Sequence, residues 1–190
     1  MSYISYISFP SALNAYTKTV ALGNENCLGI NYDISHYHEN LYLFPGIPPE
    51  KNAISITDVK GVVFADCFKN PYIYEYHIAT PHHIKRERSK IVFSDMEYAD
   101  KLQEIKMFSD KNRCFYLRTL HDFIDENLMV GSFAEIYTVW TDHTNFIIKA
   151  PLSECTIDLT EIVDATEAIG ITAGHKAIIV KHGVHFRYEN

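Results

Sequence analysis

The stretch DKNRCFYLRTLHDFIDENLMVGSFAEIYTVW, from Asp110 to Trp140, decides the fold class. Within it Cys114, Leu117, Leu120, Ile124 and Leu128 recur at spacings of three and four, which puts them on one face of an α-helix. Arg113, Arg118, Asp122, Asp125 and Glu126 fall largely off that face. The pattern predicts a helix docked on an apolar surface. Asp110 is placed to cap its N-terminus, and Gly131 to close it in a left-handed conformation. From Phe133 the period changes to two: Phe133, Glu135, Tyr137 and Val139 point one way, and Ala134, Ile136, Thr138 and Trp140 the other. A helix leading straight into such a strand predicts an α+β fold, a mainly antiparallel sheet with two or three helices packed on it.

The rest of the chain fits one unit of that kind. With 190 residues, 47% of them hydrophobic, it can bury one sizeable core, so a single globular domain over residues 1–190 is expected. Its four cysteines, Cys27, Cys67, Cys114 and Cys155, show no paired C-x-x-C spacing and read as buried thiols of a reducing compartment. Residues 1–13 lack the basic start and unbroken apolar run of a signal peptide, and no stretch has the roughly 18 apolar residues of a membrane span. The expected location is cytoplasmic, with no membrane partner.

Residues 1–25 leave strand and helix open. From Cys27 to Phe93, short β-branched and aromatic runs between turn residues predict strands at Leu28–Ile34, Leu41–Phe44, Ala53–Thr57, Val62–Phe68, Tyr72–Ala79 and Lys90–Phe93. In Tyr72–Ala79 the residues Tyr72, Tyr74, Tyr76 and Ile78 share a face. Such a ladder invites a base-stacking role, but tyrosines also pack well across strands, and the packing role is preferred. Ser94-Asp-Met-Glu97 fits a capping box opening a helix of about three turns. Thr156–Leu159 reads as a strand, Thr160–Gly170 as a short helix, and Lys176–Lys181 with Val184–Tyr188 as a terminal hairpin.

Few motifs carry chemistry. There is no G-x-S-x-G elbow, and the stretch from Gly170 to Lys176 is neither a phosphate loop nor a dinucleotide fingerprint. Among ten histidines, His36 and His38 flank Tyr37 and would project from one face of a strand, suitably placed to share a metal. With Gly29 before and Gly46 after, the pair resembles the first metal motif of a cupin. Where cupins carry an acidic ligand, this chain has Tyr42 and Leu43, and Glu39 would face away from the pair. No catalytic residue, metal ligand or cofactor is assigned. The basic run His82–Lys90 reads as a solvated surface loop, without nucleic acid as partner.

Charge is the sharper signal. Residues 120–175 hold ten acidic residues (Asp122, Asp125, Glu126, Glu135, Asp142, Glu154, Asp158, Glu161, Asp164 and Glu167) against Lys149 alone, a net of −9 within a chain of net −7. On a short helix Glu161, Asp164 and Glu167 would share one face, where they repel one another, a cost that points to use beyond folding. Such a face suits a basic protein partner, because a concentrated field speeds association and restricts partners.

The phrases Phe68-Lys-Asn-Pro-Tyr-Ile-Tyr-Glu75, Gly131-Ser-Phe-Ala-Glu-Ile-Tyr-Thr-Val-Trp140 and Thr156-Ile-Asp-Leu159 resemble segments of small uncharacterised bacterial cytosolic proteins without assigned function. The resemblance spans about residues 68–159 and implies no activity. The function expected is non-enzymatic protein binding, in its concrete form an immunity or inhibitor protein that occludes a basic toxin, such as a nuclease, with Asp158, Glu161, Asp164 and Glu167 as the contact face. The alternative is a metal-dependent enzyme built on His36 and His38. Neither reading implies an oligomeric state.

Overall fold

The computed structural model describes residues 2–13, 18–21, 38–41, 54–58, 65–78, 82–142, 145–146, 150–163 and 174–183. The chain divides into two compact units, each drawn from separate stretches of sequence. The first comprises Met1–Asn14, Asp58–Tyr76 and His121–Asn190, the second Ala15–Thr57 and His77–Leu120.

The first unit is a five-stranded sheet. Its strands are β1 (Ser2–Phe9), β5 (Tyr72–Ile78), β6 (Phe133–Asp142), β8 (Ser153–Asp158) and β9 (His175–Val180), in the spatial order β5-β1-β6-β9-β8. The two-residue strand β7 (Asn145–Phe146) pairs with the end of β6. All neighbours run antiparallel except β8 and β9. The N-terminal strand therefore lies inside the sheet, with Ser8 opposite both Ile73 and Glu135. Both faces of β6 are covered, and Ala134 to Val139 are all buried. On one face the C-terminal turns of the long helix supply Phe123 and Ile124, with the Phe9 and Phe123 rings edge-on at 5.6 Å. On the other, Tyr6, Phe68, Ile73, Tyr137 and Val139 form a second apolar layer. At roughly 1.5–3 kcal/mol for each fully buried large apolar side chain, these two layers contribute strongly to holding β6 between its covers.

The second unit contains β2 (Lys18–Ala21), β3 (His38–Leu41) and β4 (Ile54–Asp58), in which β3 pairs antiparallel with both neighbours. It also contains α1 (His82–Val92) and most of α2 (Tyr98–Asn127), which form a helical hairpin. Arg88 stacks over the Phe108 ring at 6.0 Å and Lys111 Nζ donates to Glu87 Oε2 at 2.7 Å, tying the two helices side by side.

The architecture is the α+β class read from the sequence, a mainly antiparallel sheet with two helices. Several local expectations are corrected. The helix predicted from Asp110 begins twelve residues earlier at Tyr98, so Asp110 lies in its interior and caps nothing. Ser94 does not open a capping box: its Oγ donates back to Ile91 O at 2.7 Å and closes α1, while the first α2 hydrogen bond runs from Lys101 N to Glu97 O. The basic run expected as a loop is α1 itself, which also removes the strand at Lys90–Phe93. Of Val62–Phe68, the described part is a 3-10 turn, Ala65–Cys67, and not a strand. Gly131 does take a positive φ of +82°, but in the turn before β6 and not at the helix end. Both edges of β9 are occupied, by β6 and β8, and its expected hairpin partner Val184–Tyr188 lies outside the described residues, as does Leu28–Ile34.

Candidate functional site

The acidic block does not form one continuous surface. Glu135 sits in β6 with its side chain fully buried, and Lys176 of β9 reaches it from the same face, Nζ to Oε1 at 2.6 Å, with its own side chain only 3% exposed. The other carboxylate oxygen of Glu135 accepts from Ser8 Oγ at 2.9 Å, Lys69 N at 2.8 Å and Asn70 N at 2.9 Å. Lys176 also donates to Cys67 O at 2.7 Å and pairs with Glu154 Oε2 at 3.1 Å, while its ammonium lies 6.0 Å from the Phe68 ring centre. The segment from Cys67 to Asn70 thus lies over the ion pair and is tied down by it. Asn70 completes the closure by donating from Nδ2 to Phe133 O at 2.9 Å, across the β1–β6 boundary.

Burial alone would lower the pKa of Lys176, but its hydrogen bonds to Glu135 and Glu154 outweigh that and raise it, so the ammonium persists. An ammonium held this way cannot act as a nucleophile or base. Burial pushes the neighbouring Cys67 thiol up, with Lys176 pulling the other way, and burial with the Glu154 charge does the same for Cys155, so neither thiol is activated. The Tyr137 hydroxyl is pushed up to about 12 by burial first and by Cys67 second. These shifts describe a closed structural cluster, not a reacting centre.

The remaining acids divide by what they touch. Asp125 Oδ1 meets Lys181 Nζ at 2.8 Å, and the same ammonium donates to Asp125 O at 2.6 Å near the C-terminal end of α2, where a cation is favoured. Glu154 is partly exposed, and the hydrogen bond from Lys176 is the first cause of its lowered pKa. Asp158 caps the 3-10 turn Leu159–Glu161, accepting from Thr160 N at 2.8 Å and Thr160 Oγ1 at 2.6 Å. Those bonds lower its pKa, with His182 adding a smaller pull at 3.7 Å. Glu161 is exposed in the same turn. The structure therefore brings Asp158 and Glu161 together at the end of β8, with Glu154 four residues earlier on the strand. Asp164 and Glu167 lie outside the described residues, as does His36, and of His38 only the backbone, in β3, is described.

Two of the three β5 tyrosines have the packing role: Tyr74 and Tyr76 are buried, and the Tyr74 hydroxyl accepts from Leu13 N at 3.2 Å, while Tyr72 is 43% exposed. Among the described residues no group of three or more His, Cys, Asp or Glu side chains could hold a metal ion, and no helix is long and apolar enough to cross a membrane. Sequence reasoning missed the Glu135–Lys176 pair, although a signal existed. Glu135 interrupts a run of apolar residues, Lys176 heads Ala-Ile-Ile-Val, and two opposite charges embedded in apolar strands are best accommodated against each other. Comparison with protein-family models, curated proteins and solved structures finds no match to this chain.

Proposed function

We propose that the chain is a non-enzymatic protein-binding module, an immunity or inhibitor protein that occludes a basic partner such as a toxin domain. The observation that carries this reading is the set of carboxylates along β8 and in the turn that follows it. Glu154 and Asp158 both have pKa values held below the ordinary carboxylate range, and Glu161 stands exposed beside them. Glu154 and Asp158 thus keep their charge to lower pH than free carboxylates do. Glu135, though part of the acidic block in sequence, contributes nothing to this surface because it is spent on Lys176. A fixed negative patch favours fast, salt-sensitive association with a basic surface.

The test is capture of partners by the tagged chain from lysate of the source cells, followed by binding kinetics with the protein recovered. A basic partner is expected, with an association rate that falls as salt rises. Reversing Glu161, Asp164 and Glu167 to Lys should slow association at least tenfold at low salt, measured on protein whose melting temperature is checked beside the native chain. Asp158 and Glu154 are left untouched in that variant because both hold structure together. Association unaltered by the triple reversal removes this surface from the reading.

A further inference from the structure

The helical hairpin presents the opposite chemistry. At its turn, Phe93 is 82% and Tyr98 75% exposed, and Val92, Met96 and Leu102 are exposed around them. Five large apolar side chains stand exposed within eleven residues, a density of exposed apolar groups that marks candidate interaction surfaces. The patch is also the continuation of a buried stripe. Along α2 the positions Tyr98, Leu102, Ile105, Tyr116, Leu120 and Phe123 fall within a narrow arc at helical spacing. Leu120 and Phe123 are fully buried, whereas the same arc stands open at Tyr98 and Leu102.

The charges around the patch indicate what covers it. The exposed acids Asp95, Glu97, Asp100 and Glu104 lie at and just past the turn, while Arg86, Arg88 and Lys90 are exposed along α1. Lys101, the base in the turn region, is committed internally, donating to Ser94 O at 2.9 Å across the end of α1. One hairpin thus carries an acidic tip and a basic stem around a shared apolar face. From Arg86 to Val92 is six residues, or about 9 Å of helix, so two hairpins packed antiparallel about a twofold axis bring each acidic tip beside the other's basic stem. An anionic lipid surface would meet the acids before the bases.

We propose that this hairpin face is a self-association surface, on which a second copy of the chain docks through an isologous, antiparallel four-helix contact centred on Val92, Phe93, Tyr98 and Leu102. The surface is independent of the acidic row on β8.

Sedimentation velocity of the purified full chain over a concentration series tests this. A concentration-dependent dimer is expected for the native protein, and a monomer for Leu102→Glu, with helix content and melting temperature unchanged. The charge pattern gives a second, more discriminating measurement. The Asp100→Arg/Glu104→Arg variant and the Arg86→Glu/Lys90→Glu variant should each weaken the dimer by tenfold or more when alone and regain it when mixed. A native chain that stays monomeric at every soluble concentration overturns the proposal. So do charge variants that dimerise alone as well as the native chain, or that fail to recover on mixing. Monomeric protein that sediments with phosphatidylserine vesicles and loses this with Phe93→Ser would assign the patch to a membrane surface instead, and equally overturns it.

Discussion

The charged cluster inside the first unit and the apolar hairpin of the second break the same rule in opposite directions. Around Glu135 and Lys176 two full charges are withdrawn from water, and Ser8 Oγ, the Lys69 and Asn70 N–H groups and the Cys67 carbonyl are drawn in to meet them. At Phe93 and Tyr98, apolar rings are left in water and the charges lie around them. Burying a charge is tolerable only when its partners are in place, so the first departure is explained within the fold. Among the described residues nothing offsets the second, which fits the proposal that another copy of the chain covers it. Interior charge here builds structure, while exterior apolar surface builds recognition.

The comparison is tested most severely at Glu135. Replacing it with Ala strands a buried ammonium and removes the acceptor from two backbone N–H groups, so chemical denaturation should show a loss of about 3–5 kcal/mol. Lys176→Met should cost less, because the three other donors to Glu135 remain, and a midpoint shift larger than that of Glu135→Ala would contradict the hydrogen-bond arrangement described. The pH dependence follows the same cluster. Lys176 has a raised pKa in the fold, so the stability it contributes is present below the unfolded-state value of about 10.5 and is lost as pH rises through the folded value. Glu154 has a lowered pKa, so its contribution is present above 4.5 and is lost as pH falls through the folded value. Melting temperatures across pH should fall at both ends, and Glu154→Gln should flatten the acid limb and also weaken the alkaline one, because Glu154 helps to raise the Lys176 pKa.

Smaller effects sharpen the contrast further. Gly131→Ala meets open space but places a side chain at φ +82°, so the loss should be about 1 kcal/mol and purely conformational. Asp158→Ala removes the acceptor for Thr160 N and should also cost about 1 kcal/mol in equilibrium unfolding. At the hairpin, Phe93→Ser should change monomer stability by no more than about 0.5 kcal/mol, since a ring already in water has little burial to lose. A drop of several kcal/mol there would show that the ring is packed and would remove the basis for a docking face.

What the sequence made legible depended on how uniformly each element meets its surroundings. The C-terminal half of α2 was readable because its burial is periodic, and β6 was readable from Phe133 to Trp140, although Thr141 and Asp142, expected in a turn, extend the strand. The first turns of α2 were not assigned to the same helix, since their apolar stripe is open at Tyr98 and Leu102 and carries mixed charge between. Helix α1 was hidden because its arginines and lysines, good helix formers, resemble a solvated loop when judged by charge alone. For β1, alternating Ser with Tyr and Ile left strand and helix open, and its internal position in the sheet follows from pairings with distant residues that local pattern cannot encode. The acidic block was legible as a count. Its division into a buried, a capping and an exposed carboxylate was not, because that division depends on which lysines and backbone N–H groups the fold brings near Glu135, Asp158 and Glu161.

The internal position of β1 has a consequence for how the chain is made. The hydrogen bond between the Ser5 and Thr138 hydroxyls closes a separation of 133 residues, and the other edge of β1 waits for Tyr72–Tyr76. A nascent chain leaving the ribosome therefore holds Ser-Tyr-Ile-Ser-Tyr-Ile-Ser-Phe, a segment with no charge, glycine or proline, with an unpaired edge until β6 has emerged. Closing contacts of such range is slow. During that interval the strand that later anchors the sheet is free to pair with another chain, so synthesis is a stage at which this protein is exposed to aggregation.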